Sequence, residues 1–195
     1  MTDRLLIQLY RRPETVFPID QIAQMFPGIP YKSLRDRLSY CTKTGKLIRV
    51  RHGIYAKPSY NHLELANKIY TPSYISLETV LAKEGIVFQY YETIFAVSYL
   101  TRTVSVAGKD IQYRQIKGIV LTNPHGVEYH DEVAIASRER AFLDAVYIYK
   151  DYHFDNLGVI DWQKVDELTP VYRSKTVKKR IAGYRKLYQE DYAQH

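Results

Sequence analysis

The punctuation of residues 18–58 constrains this chain more than any other stretch of it. The run "PIDQIAQMF" begins on Pro18 and places Ile19, Ile22, Ala23 and Phe26 on one helical face. "PGIP" then breaks the chain, and "YKSLRDRLSYCTKTG" follows, with Pro30 near its helix start and Gly45 just past its end. "KLIRVRHGIYAKP" supplies two short β-rich runs around Arg51-His52-Gly53. Ahead of these, "TDRLLIQLY" sets Leu5, Leu6 and Leu9 at helical spacing behind a Thr2 or Asp3 cap. Helix, helix, turn, helix and two-stranded hairpin is the order of a winged helix-turn-helix, which these signals predict over residues 1–58.

That order assigns roles to side chains. At 100° per residue, Leu34, Leu38 and Cys41 fall within about 60° of one another and form the buried stripe of the third helix. Cys41 is thereby a core residue and not a nucleophile. Tyr31, Lys32 and Ser33 occupy the helix's first turn, the part that meets base edges in the major groove in such proteins, with Arg35 or Asp36 beside them. Arg37, Lys43, Arg49, Arg51 and His52 are candidates for phosphate contacts, the last three on the hairpin as a wing together with Lys57. Gly53 lets the turn close. The implied partner is double-stranded operator DNA, bound by a dimer or by two copies on an inverted repeat, because one head alone gives weak specificity.

Charge agrees with an anionic partner. Residues 1–60 hold 11 Lys/Arg against 4 Asp/Glu, residues 61–170 hold 10 against 15, and residues 171–195 hold 7 against 2. A basic head, an acidic body and a basic tail follow. No run of about 18 apolar residues exists, so no membrane span is expected. The charged N-terminal stretch does not read as a signal peptide, and a single cysteine fits a reducing compartment. The expected location is the cytoplasm.

Past the linker "KPSYNH", residues 62–195 read as an α+β domain. "HLELANKIY" is an amphipathic helix, and "TPSYISLETVLAKEGIV" contains a second, with Ser76 as cap candidate and Gly85 at its end. "TIFAVSYLT", "TVSVAG", "KDIQYRQIK", "GIVLTN" and "VEYHDEVAIA" have β character and predict a small, mostly antiparallel sheet. "SRERAFLDAVYIY" returns to helix, capped by Ser137, and residues 161–190 close the chain with one or two more. In the tail, Val177, Ile181, Tyr184 and Tyr188 share one helical face. That face suits docking on the acidic body, while Lys175, Lys178, Lys179 and Arg185 offer a second nucleic-acid or partner surface.

"GIYAKP", "PSYISLETVLAKEGI" and "AIASRERAFLDAVYI" together resemble the AbiEi family, antitoxins of type IV toxin–antitoxin systems. The likeness spans most of the chain. Within the third stretch it rests on Ser137, Glu139-Arg140, Phe142-Leu143 and Asp144, in that order; Arg138 stands where many relatives carry proline. The resemblance implies a DNA-binding antitoxin that represses its own operon and opposes a nucleotidyltransferase-like toxin. Relatives of this kind need not form a stable complex with the toxin. A regulator whose body senses a ligand or a protein, with no toxin, is the alternative.

Catalytic readings find little support. A restriction-type nuclease needs an acidic-x-Lys pair to hold Mg²⁺ beside the phosphate, and the chain contains none; Asp110 with Gln115-x-Lys117 is a substituted version. His125, His130, Asp131 and Glu132 cluster in sequence, but adjacent residues of a loop and strand seldom converge on one metal. Phosphate-binding glycine loops and Gly-x-Ser-x-Gly turns are missing. No enzyme activity, catalytic residue, metal or cofactor is expected.

Overall fold

The structure is a computed structural model that describes residues 2–192, with side chains from residue 4 to 191. The cap expected of Thr2 or Asp3 lies outside those side chains. The protein is α+β.

The N-terminal part comprises α1 (Thr2–Arg11), β1 (Val16–Pro18), α2 (Ile19–Met25), α3 (Tyr31–Lys43), β2 (Ile48–Arg51) and β3 (Ile54–Ala56). The helices and the hairpin appear in the expected order, with β1 added. This strand of three residues pairs antiparallel with β3, giving the sheet order β1-β3-β2. It is too short to show an alternation, and Pro18 disguises it as a helix start. Leu34, Leu38 and Cys41 are fully buried, as their angles predict. They pack with Leu5, Leu9, Ile22, Phe17 and Tyr55 into a separate small core.

Side-chain alternation gives this sheet two working faces. Phe17 and Tyr55 lie opposite each other and face the three helices, whereas Val16, Ile54 and Ala56 join the main core instead. What they meet is α4 (His62–Ile69), which packs on β1 from one side and on the large sheet from the other. Glu64 of α4, 1% exposed, clamps the junction. Its Oε2 accepts from the Thr15 N–H and hydroxyl, and its Oε1 accepts from the Val16 N–H at 3.1 Å.

The large sheet contains β4 (Ser73–Ile75), β5 (Ile94–Ser98), β6 (Arg102–Val106), β7 (Lys109–Gln115), β8 (Val127–His130) and β9 (Val133–Ala136), in the order β6-β7-β5-β4-β9-β8. A small, mostly antiparallel sheet was expected; the sheet has six strands and is mixed. Pairs β5–β7 and β4–β9 run parallel. The second of these pairs exists because of β4, which the sequence hides inside a helical pattern. It sits at the centre and joins segments 60 residues apart through Ile75 and Ile135.

That strand also displaces the expected helix start. Ser76 is not a cap: its hydroxyl donates to Asp144, and α5 (Glu78–Lys83) begins only after Leu77, which has φ +55°. "GIVLTN", expected as strand, forms the one-turn α6 (Gly118–Leu121), whose Val120 and Leu121 N–H groups bond the Lys117 carbonyl. Short apolar runs fit either period, and here burial of Val120 and Leu121 decides.

On the sheet face opposite α4 lies α7 (Arg138–Ile148), capped by Ser137 as expected. It carries a buried ionic pair, Arg140 and Asp144, 3.4 Å apart and both without exposed side-chain surface. Asp144 accepts from the hydroxyls of Tyr74, Ser76 and Tyr172, while Arg140 donates to the Tyr74 hydroxyl and to the carbonyls of Val120 and His125. Burial pushes the Asp144 carboxyl upward, and Arg140 with the hydroxyls opposes it. Two of the residues named for the resemblance, Arg140 and Asp144, thus build the polar centre of the body, while Phe142 and Leu143 belong to its apolar core. After α7 come α8 (Trp162–Leu168), a 3₁₀ turn (Thr169–Tyr172) and α9 (Lys175–Tyr192). Among the described residues no helix is long and apolar enough to cross a membrane.

Candidate nucleic-acid interface

The first turns of α3 and the β2–β3 turn face each other across a groove of about 740 Å³. Tyr31, Lys32, Arg35, Asp36 and Ser39 line one wall from α3; Arg49, His52 and Gly53 line the other. Pro18, Ile19 and Asp20 close the end. Gly53 adopts φ +75°, a conformation that favours glycine, and its carbonyl accepts from the Ile19 N–H at 2.8 Å. The hairpin is thereby fixed to the start of α2, so the groove has a defined width.

Pro30 precedes α3, and no side chain caps this helix. Its first-turn N–H groups thus carry the positive end of the helix dipole without a side-chain acceptor, an arrangement suited to an anion. Tyr31, 49% exposed, sits on that turn. Of the residues expected to meet DNA, Tyr31, Lys32, Arg35, Asp36, Arg49 and His52 share the groove. Ser33, Arg37, Lys43 and Arg51 do not line it. Ser33 and Arg37 are half-buried beside the Leu34–Leu38 stripe, and Lys43 is exposed at the far end of α3.

Arg51 departs for a specific reason. Arg49 lies opposite Tyr55, on the helix-facing side of the hairpin, and strict alternation would put Arg51 there too. A register shift between Arg49 and Arg51 pairs Arg51 with Ile54 instead, on the side facing the body. Its guanidinium rests 5.8 Å from the centre of the Tyr70 ring. Lys57 is also turned inward: its ammonium donates to the Arg12 carbonyl at 2.7 Å.

The groove's own charge is modest. Lys32, Arg35 and Arg49 face Asp20 and Asp36, an excess of one positive charge before His52 is counted. Asp20 and Ser39 belong to this site and were missed from sequence. The acidic first turn of α2 was visible in "PIDQ", but its position beside the hairpin depends on the Ile19–Gly53 bond.

No protein-family model matches the chain, and no curated protein matches it.

The tail helix packs against the body through Val177 and Ile181, both buried, and through Tyr184, whose ring meets Phe142 and Phe154. Arg180 donates to the carbonyls of Val146 and Tyr149. Of the second-surface candidates, Arg185 is engaged, bonding Asp166 at 2.7 Å and lying over Trp162. Lys175, Lys178 and Lys179 are exposed. In the histidine-rich stretch, side chains turn to separate partners: His125 to Asn123, His130 to Glu128, and Glu132 to the Tyr129 hydroxyl. Among the described residues no three His, Cys, Asp or Glu side chains converge as metal ligands.

Proposed function

We propose that this chain is a DNA-binding antitoxin and autorepressor: residues 1–58 form a winged helix-turn-helix that reads operator DNA, and residues 62–195 form the antitoxin body. The groove between α3 and the hairpin carries this reading. It joins an exposed, uncapped helix start to Lys32, Arg35, Arg49 and His52, so base edges and phosphates can be met by adjoining side chains. Tyr31, Lys32 and Arg35 would read bases, with Asp36 excluding wrong ones. Arg49 and His52 would hold phosphates, supplemented outside the groove by Lys43. Two copies would occupy an inverted repeat. The protein would act in the cytoplasm, without catalytic activity or cofactor.

The antitoxin half of the proposal rests on the resemblance to the AbiEi family. It predicts that co-expression rescues growth from a nucleotidyltransferase-like toxin encoded beside this gene. Lack of rescue would remove the toxin and leave a repressor. The repressor half is tested by fluorescence anisotropy against the gene's own promoter and a scrambled duplex, at two salt concentrations. Preference for the promoter of about a hundredfold or more is expected. Equal binding to both duplexes, erased by salt, would reduce the head to an electrostatic patch.

A further inference from the structure

Each sheet ends in two edge strands, and an open edge offers unpaired N–H and C=O groups to any further strand. Three of the four edges carry features that discourage such pairing. The strand β1 ends in Pro18, and β2 bears Arg49 and Arg51 with a bulge between them. On β8 stand Glu128 and His130, and the chain turns away at Asp131 and Glu132, both at positive φ. The fourth edge, β6, has none of these features. It reads Arg-Thr-Val-Ser-Val in unbroken register with β7, and its one charge is on the first residue.

The turn from β6 to β7 fixes which backbone groups stay free. Ala107 and Gly108 have φ +51° and +76°, a two-residue turn that sets its flanking residues, Val106 and Lys109, in a hydrogen-bonded pair. Alternation then directs the N–H and C=O of Val104 and Arg102 towards β7, and those of Thr103 and Ser105 outward. Both outward residues are exposed, and they straddle Val104. An antiparallel copy of the same strand therefore fits with its two-fold axis at Val104. Thr103 exchanges both hydrogen bonds with Ser105 of the second copy, and Ser105 does so with Thr103 of that copy.

Side chains agree with that register. Val104 is half-buried beside Ile111, which is 1% exposed, and meeting Val104 of the second copy extends this apolar row across the joint. Arg102 then stands opposite Val106 of the second copy, and Asp110 lies behind Ser105, whose hydroxyl donates to it, so no like charges face each other. We propose that two copies of this chain pair through β6, antiparallel about Val104, into one continuous sheet. The axis is perpendicular to the sheet, so both copies of α4, with the heads packed on them, lie on the same side. That arrangement suits two heads on an inverted repeat, a use that rests on the DNA-binding reading. The pairing itself does not, and it is measured without DNA.

Sedimentation velocity of the full-length protein, from low to high micromolar concentration, tests it. The parent associates reversibly to a dimer. Thr103→Pro keeps the β6–β7 bonds, because the N–H it removes points outward, and weakens association at least about tenfold, since both copies lose a donor. Val104→Cys, at facing positions whose Cα atoms lie about 4.5 Å apart, forms an intermolecular disulfide under mild oxidation. Thr103→Cys, displaced from its own counterpart by two positions, forms little. Cys41 is buried and stays out of this reaction. The cysteine pair supplies an answer even where the proline variant fails to fold. A parent that remains monomeric at high micromolar concentration would overturn the proposal. So would a dimer that a folded Thr103→Pro leaves unchanged, or cross-linking of Thr103→Cys as readily as of Val104→Cys.

Discussion

Arg51 lies over the ring of Tyr70, 5.8 Å from its centre, while Arg49, two residues earlier on the same strand, lines the groove beside α3. One bulge separates a cation held against the body from one offered to a ligand. Substitutions at the two positions should therefore differ in kind. Arg51→Ala costs about 0.5–1 kcal/mol of stability, from the lost cation–π contact, and leaves the salt dependence of DNA binding nearly unchanged. Arg49→Ala leaves stability nearly intact and makes the salt slope shallower by about one unit. Urea unfolding and anisotropy titrations at several salt concentrations separate them. A slope change at Arg51 matching that at Arg49 would contradict this division.

The junction at Glu64 is a buried acceptor facing donors on Thr15 and Val16. Glu64→Gln keeps the shape but turns an amide against an N–H or hydroxyl, costing about 1–3 kcal/mol in urea unfolding. Glu64→Ala strands all of these donors and costs more. If the glutamine variant were as stable as the parent, the clamp would contribute nothing to joining the small sheet to α4.

The Arg140–Asp144 pair responds asymmetrically. Arg140→Met leaves the Asp144 carboxylate buried without its cation and costs about 3–5 kcal/mol. Combining it with Asp144→Asn recovers much of that loss, because an amide carries no charge to strand. A double-mutant cycle by chemical denaturation measures the coupling. Purely additive losses would mean that packing, rather than the charge pair, holds this centre.

Acidity should act through Glu78. Burial raises its carboxyl above the usual value of 4.5, with the Tyr149 bond and Arg114 opposing that shift. A raised folded-state value means the native protein holds the proton more tightly than the unfolded chain does. This group's contribution therefore falls as pH rises from the unfolded value through the folded one, and the deficit persists above it. Glu14 has the opposite sign: its bond from Arg12 lowers its carboxyl, so its stabilisation is present above the unfolded value and fades as pH falls through the folded one. Comparing Glu78→Gln with the parent from pH 4 to 7 isolates the first effect. The variant gains relative stability as pH rises; a constant difference would show that Glu78 ionises as freely folded as unfolded.

The periodic and punctuated parts of this chain were legible in its sequence. The spacing of Leu34, Leu38 and Cys41 sets a buried face whatever lies beyond it; Gly53 marks a turn by its own backbone freedom, and Ser137 marks a cap through a bond three residues away. Six of the ten residues expected to meet DNA line one groove because α3 and the hairpin each fix their own outward faces. Tertiary structure decided the rest. The bulge that turns Arg51 away from Arg49 exists only in pairing with β3. The short strand β4 becomes central only when β5 and β9 flank it, and Ser76 gives up capping because Asp144 lies within reach across the sheet. Spacing along the chain controls which side chains share a face. Partners tens of residues away determine what that face meets, and the energies of burial and hydrogen bonding that choose between alternatives arise only at that contact.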